Sequence, residues 1–195
     1  SLYWNSGSGT CYNGRNNATT NCDFTSTGLK EEARNMIGDT LWYLGGTSSY
    51  SSASNGLASH FYTYERGTTV YSGRDTSFVG KIGLMYPSDY GYATSGGSTK
   101  DRNACLNKEL GNWDSSEFSD CKNNDWLYES SYAQWTLSPR ASNSYYVFYV
   151  NTPGSATSSY NASNSYGVRP VAFLKSNIKI EDGDGSSSNP YILME

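Results

Sequence analysis

Apolar residues recur at three- and four-residue intervals in one early window: Leu29, Ala33, Met36, Ile37, Leu41 and Leu44. That period predicts a helix near 28–44 with one buried face. Glu31 and Glu32 fall in its first turn, where the helix dipole favours anions, and Gly45-Gly46 would stop it. A second, shorter helical window runs from Ser98 to Leu110. Asp101 stands near its start, Ala104, Leu106 and Leu110 lie inside it, and Gly111 follows.

Elsewhere the pattern changes to short β-prone runs separated by turn residues. Phe61-Tyr62-Thr63-Tyr64 and Thr68-Thr69-Val70-Tyr71 flank Glu65-Arg66-Gly67 and predict a hairpin. Val79 to Met85 predicts a central strand ended by Pro87. Tyr145 to Val150 predicts another, with Pro153-Gly154 as the turn after it. Val168, Val171, Ala172, Phe173 and Leu174 around Pro170 predict a further strand. Asn177 to Ile180 and Tyr191 to Met194 complete the set, joined by a Gly/Ser-rich connection from Glu181 to Pro190. Ser48–Ser59 is low in complexity and reads as an exposed loop. Two helices on short, irregular, mostly antiparallel strands with long loops make an α+β chain. No internal repeat or dividing linker interrupts it, so residues 1–195 are expected to form one domain.

Composition sharpens this picture. Only 16% of the residues are charged and 36% hydrophobic, yet 15% are aromatic and Tyr alone contributes 18. Ser, Thr and Asn make up about a third of the chain, well above average usage. No apolar run approaches the ~18 residues of a membrane-spanning helix. A formal charge of -4 argues against a nucleic-acid partner. Aromatic residues along the whole length can supply a core, which argues against disorder. The chain opens on Ser1-Leu2-Tyr3-Trp4 without a secretory signal and is expected to be a mature or trimmed ectodomain. A surface of Tyr, Ser, Asn and Gly is also the composition of binding loops.

Four cysteines allow three pairings. Cys11 and Cys22 bracket one polar loop, and Cys105 and Cys121 bracket a second stretch holding Gly111, Trp113 and Asp114. The local pairing, Cys11–Cys22 with Cys105–Cys121, is favoured. An even count in such a chain points to an oxidising, extracytoplasmic place.

Reactive chemistry is sparse. His60 is the single histidine, no C-x-x-C occurs, and Gly56-Leu57-Ala58-Ser59-His60 lacks the nucleophile elbow. Asp182-Gly183-Asp184-Gly185 shares features with a calcium loop, but its glycines fall at the wrong positions and a tight turn fits better; a structural calcium near Asp182/Asp184 is the lesser alternative. No other cofactor is expected. Asn17-Ala18-Thr19 and Asn161-Ala162-Ser163 match the glycosylation sequon. The informative stretch runs from Trp126 to Val171, where the apolar anchors Trp135, Leu137, Val147, Phe148, Val150, Val168 and Val171 interleave with Ser, Asn and Tyr. This is the pattern of a rigid scaffold showing adaptable side chains: Tyr offers contact area at low entropy cost, Ser and Asn flexible hydrogen bonding.

Trp135-Thr136-Leu137-Ser138-Pro139, followed some thirty residues on by Gly167-Val168-Arg169-Pro170-Val171, resembles the C-terminal signature of bacterial surface domains with a C-type lectin-like, formylglycine-generating-enzyme-like fold. Such domains include variable proteins diversified by diversity-generating retroelements and pilin-associated lectin-like domains of gut Firmicutes. Ile82 to Gly91 and the closing Ile178 to Tyr191 are similar as well, so the resemblance spans roughly residues 28–195. It implies that Trp135 and the Gly167–Pro170 segment are scaffold, with Arg169 pairing with a carboxylate or carbonyls inside. It implies a ligand-facing, variable surface between Pro139 and Gly167. Arg140, Ser142, Asn143, Tyr145, Ser158, Tyr160, Asn161, Asn164 and Tyr166 fit the residue palette of that surface. The enzymes of this fold use a reactive cysteine pair, and no cysteine lies beyond Cys121. The Glu-Pro-Asn, Gln-Pro-Asp and Trp-Asn-Asp signatures of calcium-dependent lectins are absent too.

The resulting expectation is a non-catalytic, extracellular ligand-binding or adhesion domain on a bacterial cell surface. Its partner would be a protein or glycan on a host, a phage or a neighbouring cell. One alternative is the structural subunit of a pilus-like filament, built by self-association. The other is a secreted glycan hydrolase working through carboxylates such as Asp89, Asp114 or Asp125.

Overall fold

The computed structural model describes residues 30–96, 101–186 and 188–194. Helix α1 spans Glu31–Met36 and stops because Ile37 takes extended geometry, with ψ at 130°. The helix expected over 28–44 is therefore corrected to one and a half turns followed by strand β1, Thr40–Tyr43. The reason is Trp42. Leu41, which carried the helical period, is 48% exposed, whereas Trp42 is buried and its Nε1 donates to the carbonyl of Gly80 at 2.9 Å. A strand points Trp42 at Phe173, 5.4 Å between ring centroids, and over Gly83, where a Cβ would lie 2.5 Å from the indole. Gly45-Gly46 does not cap a helix either. It allows close backbone approach: a Cβ on Gly46 would sit 2.0 Å from the carbonyl oxygen of Pro139.

The hairpin expected over 61–71 is also corrected. Ala58–Glu65 is helix α2. Ala58, Phe61 and Glu65 are its buried residues, which is helical spacing, so burial of one face overrides the β-propensity of Phe61-Tyr62-Thr63-Tyr64. The Ser48–Ser59 stretch accordingly ends as helix. The strand expected from Val79 to Met85 divides at Lys81 into β2, Ser77–Gly80, and β3, Ile82–Leu84. Pro87 opens helix α3, Pro87–Tyr92, at a position where its missing N–H costs nothing, and Asp89 accepts a 2.8 Å bond from the Tyr86 N–H. The second helical window holds α4, Arg102–Leu106, capped by Asp101 accepting from the Ala104 N–H at 2.9 Å. Two 3₁₀ turns, Leu110–Asn112 and Ser116–Phe118, lead to α5, Ser119–Asn123.

The second half is mainly strand: β4 (Gln134–Pro139), β5 (Val147–Val150), β6 (Ala156–Thr157), β7 (Pro170–Ala172), β8 (Lys179–Asp182) and β9 (Ile192–Met194). All named pairings are antiparallel, in four small sheets: β1-β2, β3-β7, β4-β5-β6 and β8-β9. The chain is thus α+β, as expected, with more and shorter helices than the two predicted. Among the described residues no helix is long and apolar enough to cross a membrane.

Two clusters of buried side chains flank β5. The larger gathers Phe61, Met85, Tyr90, Leu110, Trp113 and Phe148. The smaller gathers Leu84, Trp135 and Tyr149, backed by Tyr166 and Val168. Cys105 and Cys121 form a disulfide inside the larger cluster, with 5.5 Å between their Cα atoms. Cys11 and Cys22 lie outside the described residues. Replacing Cys105 and Cys121 together by Ser removes the closure of a 16-residue separation and is expected to lower stability by about 3 kcal/mol, read from urea midpoints.

Candidate functional site

The two segments that carried the family resemblance meet in space. The Trp135 N–H donates to the carbonyl of Gly167 at 2.9 Å, and the Gly167 N–H returns a 2.8 Å bond to Ala133. At Thr136–Ser138 the register of β4 against β5 shifts. There the Leu137 N–H turns to the carbonyl of Met85 at 2.9 Å, while the Thr136 hydroxyl bonds the carbonyl of Phe148 at 2.7 Å. These two bonds tie the irregularity to β3's end and to β5, while the Ser138 hydroxyl is buried without a partner. Arg169 donates to the carbonyl of Trp126 at 3.2 Å; the partner is a carbonyl, but the bond is exposed and not inside as expected.

After β5 the chain reverses through Thr152-Pro153-Gly154, where Gly154 takes φ +105°. It then returns across the sheet. The Ala162 N–H bonds the carbonyl of Tyr145 at 2.9 Å, and the indole N–H of Trp135 bonds the carbonyl of Asn164 at 3.2 Å. This return lays tyrosines against one another. Tyr166 lies 4.6 Å from Trp135 and 5.0 Å from Tyr149, centroid to centroid. Tyr160 lies 5.6 Å from Tyr149 and stands nearly perpendicular to Tyr166 at 6.2 Å.

These rings form part of the wall of a cleft of about 740 Å³. Tyr132 and Asp114 enter it from upstream segments, and Asn151, Ser155, Ser159 and Ser165 add polar groups. Tyr160 and Tyr132 are each 50% exposed, so their rings are available for contact. The Tyr149 hydroxyl is 2.9 Å from the Ser159 hydroxyl, and burial pushes its pKa up to about 12. Burial raises the pKa of Tyr166 as well. Both phenols therefore stay neutral and serve as hydrogen-bonding groups. The Oγ of Ser155 is buried and without a hydrogen-bond partner. Among the described residues, Asp114 is the one charged side chain in the wall, and no Lys or Arg contributes to it.

The nine residues expected to face a ligand do not form one patch. Tyr160 and Tyr166 line the large cleft. Asn143 and Tyr145 line a second one of about 340 Å³, beside Tyr146, Tyr71 and Arg74, whose guanidinium bonds the carbonyl of Ser144 at 2.9 Å. Asn161 and Ser142 are exposed, and Ser142 accepts from Arg140 at 3.1 Å. The guanidinium of Arg140 lies 5.8 Å from the centre of the Tyr50 ring and 5.9 Å from that of Tyr146. Asn164 sits behind the tyrosines, its carbonyl on Trp135. Ser158 is fully buried, its hydroxyl bonded to that of Tyr50 at 3.1 Å, and it belongs to the frame. Tyr132 and Asn151 are not among the nine, and Asp114 enters the sequence reading only as a carboxylate of the hydrolase alternative. Tyr132 precedes the Pro139–Gly167 surface expected to face a ligand, and only the fold brings it over Gly167, where a Cβ would lie 2.4 Å from the Tyr132 ring.

The three carboxylates considered for hydrolysis have different surroundings, and only Asp114 is part of the cleft wall. Asp114 lines the cleft, Asp89 caps α3, and Asp125 is buried, its Oδ1 accepting from the Leu127 N–H at 2.8 Å. Nδ1 of His60 accepts from the Leu57 N–H at 3.3 Å. Among the described residues no group of three His, Cys, Asp or Glu is placed to hold a metal. The Asp182–Gly185 segment is a turn: Gly183 and Gly185 take φ of +94° and +81°, and Asp182 and Asp184 accept from the N–H groups of Gly183 and Ser186.

Residues 87–176, a little under half of the chain, match a family described as a domain of unknown function (DUF6273). The matched span contains β4, β5 and the tyrosines of the large cleft. No curated protein and no solved structure matches the chain.

Proposed function

We propose that this chain is a non-catalytic ligand-binding domain of C-type lectin-like type, displayed outside a bacterial cell, and that the cleft of Tyr160, Tyr166 and Tyr132 is its binding surface. The observation that carries this reading is the cleft itself: exposed aromatic faces beside hydroxyls and an amide, mounted on a stiffened sheet. A preformed concavity of 300–1,000 Å³ with a few convergent polar groups is the usual form of a ligand site. Asp114 is the one carboxylate among the described residues of the wall, which supports binding over hydrolysis, because glycoside cleavage uses two carboxylates facing one bond. The Cys105–Cys121 disulfide supports an oxidising, extracytoplasmic location.

Tyr160→Ala combined with Tyr132→Ala tests the assignment. Both rings are half-exposed, so the variant is expected to melt like the wild type. It is expected to lose every ligand that the wild type selects from a glycan array and a phage-displayed peptide library. Tyr145→Ala, in the other cleft, is expected to keep them. Selection that survives the double variant and fails with Tyr145→Ala would move the site to the smaller cleft.

A filament subunit is the second reading. It draws on Ile180 and Ile192, exposed on the β8-β9 sheet, whose strands pair only with each other among the described residues. Light scattering that grows with concentration, and is suppressed by Ile180→Lys, is the result this reading expects. A monomer at all concentrations would end it.

A further inference from the structure

We infer that the ligand of the large cleft is an uncharged oligosaccharide, gripped without calcium between the Tyr160 and Tyr132 rings and the hydroxyl-bearing wall. The inference rests on the proposed binding role of the cleft and names its ligand class.

Charge narrows the choice first. Among the described residues the wall holds Asp114 and neither Lys nor Arg, and the chain carries a formal charge of -4. Sulfated, phosphorylated or sialylated ligands and acidic peptides would meet a repelling carboxylate with no compensating cation. The shape of the groups comes next. A pyranose has C–H faces that stack on aromatic rings and a belt of hydroxyls that both donate and accept. The cleft offers the same two kinds of surface. Tyr160 and Tyr132 present ring faces. The carboxylate of Asp114 accepts. Asn151 has its Oδ1 occupied by the N–H groups of Gly154 and Ser155, at 2.8 and 2.7 Å, which aims that oxygen inward and fixes the orientation of the amide.

Ser155 supplies an independent sign. Its hydroxyl is buried at the wall with no protein partner. A buried polar group left open costs free energy, and few native proteins keep many of them. A ligand hydroxyl reaching the base of the cleft would satisfy it after a small rotation of the side chain.

A peptide fits less well. Extended peptides commonly add to an open strand edge. The edge strand at this wall, β6, is two residues long, and Ala156 within it is fully buried. Among the described residues no acidic cluster stands at the cleft to hold calcium, in keeping with a grip by rings and hydroxyls.

The experiment titrates the intact chain with cellohexaose, chitohexaose, laminarihexaose and mannohexaose by calorimetry, once in calcium and once in EDTA, with heparin as the anionic arm. At least one neutral hexaose is expected to bind and heparin is not. Tyr160→Ala is expected to weaken that binding about tenfold or more, consistent with loss of one aromatic contact, while Tyr145→Ala leaves it unchanged. Unchanged melting of Tyr160→Ala separates lost contact from lost fold. Four outcomes would overturn the inference. If no hexaose binds but selected peptides bind the wild type and not Tyr160→Ala, the ligand class is wrong and the site stands. If neither kind of probe binds, the binding role fails with it. Heparin binding in place of the hexaoses would overturn the charge argument. Binding that EDTA abolishes would overturn the calcium-free mode.

Discussion

Stability of this domain is expected to fall as pH rises from about 4 to about 7, the reverse of ordinary acid denaturation. Two buried carboxyls set the direction. Glu65 is fully buried between α2 and α3, where its oxygens accept from the N–H and hydroxyl of Ser88. Arg66 lies 3.2 Å away, yet burial dominates and pushes the Glu65 pKa from 4.5 to about 7. Asp125 is buried with one oxygen lacking any partner, and burial pushes its pKa from 3.8 to about 7 against the weaker pull of two backbone N–H groups and Arg169. Between the unfolded and folded values the native state keeps protons that the unfolded chain has released. Each rise in pH across that window therefore favours unfolding, by about 1.4 kcal/mol per pH unit for each group, until the folded pKa is passed. Burial raises the Asp89 pKa as well, which adds in the same sense. The carboxylates of Glu129 and Asp184 are pulled the other way by bonds from serine residues, but both are solvent-exposed and weakly coupled to folding.

Urea midpoints taken from about pH 4 to about pH 8 measure the sum. Several kcal/mol of loss are expected across the window, with a plateau above it. Asp125→Asn keeps the acceptor for the Leu127 N–H and removes one titration, so its profile is expected to be roughly half as steep. Glu65→Gln is expected to do the same through the other group. A profile that is flat, or that rises toward neutral pH, would show that these carboxyls are ionised in the native state.

The site was legible where composition and contact coincide, and hidden where the chain returns from afar. Tyr160 and Tyr166 stood out because a Tyr/Ser/Asn run after a β-prone segment is a display loop, and both rings do line the cleft. Asp114 and Tyr132 share no local pattern with them. They arrive because the Cys105–Cys121 segment and the approach to β4 are folded against β6 and Gly167. Ser158 shows the opposite error: a palette residue with a frame role, since it follows β6 directly and its hydroxyl is buried against that of Tyr50. The fold divides similarly. β5, β7, β9, the turn at Gly183 and the disulfide between Cys105 and Cys121 followed from short-range signals. The first helix did not, because Leu41 and Leu44 sit at helical spacing by coincidence, and one large ring, Trp42, outweighs them through its packing on Gly83 and Phe173. α2 was read as strand for the converse reason. Tyr and Phe favour strands on average, but Ala58, Phe61 and Glu65 share a face only if the segment winds.

Phe148→Ala is expected to remove about 3–5 kcal/mol of stability and ligand capture together. Phe148 is fully buried and sits edge-on to two rings, 4.8 Å from Tyr50 and 5.1 Å from Phe61. Its neighbour Tyr149 points to the opposite face of β5, as strand geometry requires, and packs on Trp135, Tyr160 and Tyr166 beneath the cleft. One strand thus anchors the large core with one residue and floors the candidate site with the next. Emptying the Phe148 position leaves a cavity that rigid neighbours on α2 cannot close, and β5 loses the contact that fixes its height beneath the tyrosines. Denaturant midpoints read the first effect, and hexaose titration well below the midpoint reads the second. Tyr160→Ala makes the contrast: capture lost, midpoint kept. If Phe148→Ala were destabilised by the expected amount and yet bound a hexaose with wild-type affinity, the tyrosine floor would hold its shape without the core. The frame would then contribute stability to the site without determining its geometry.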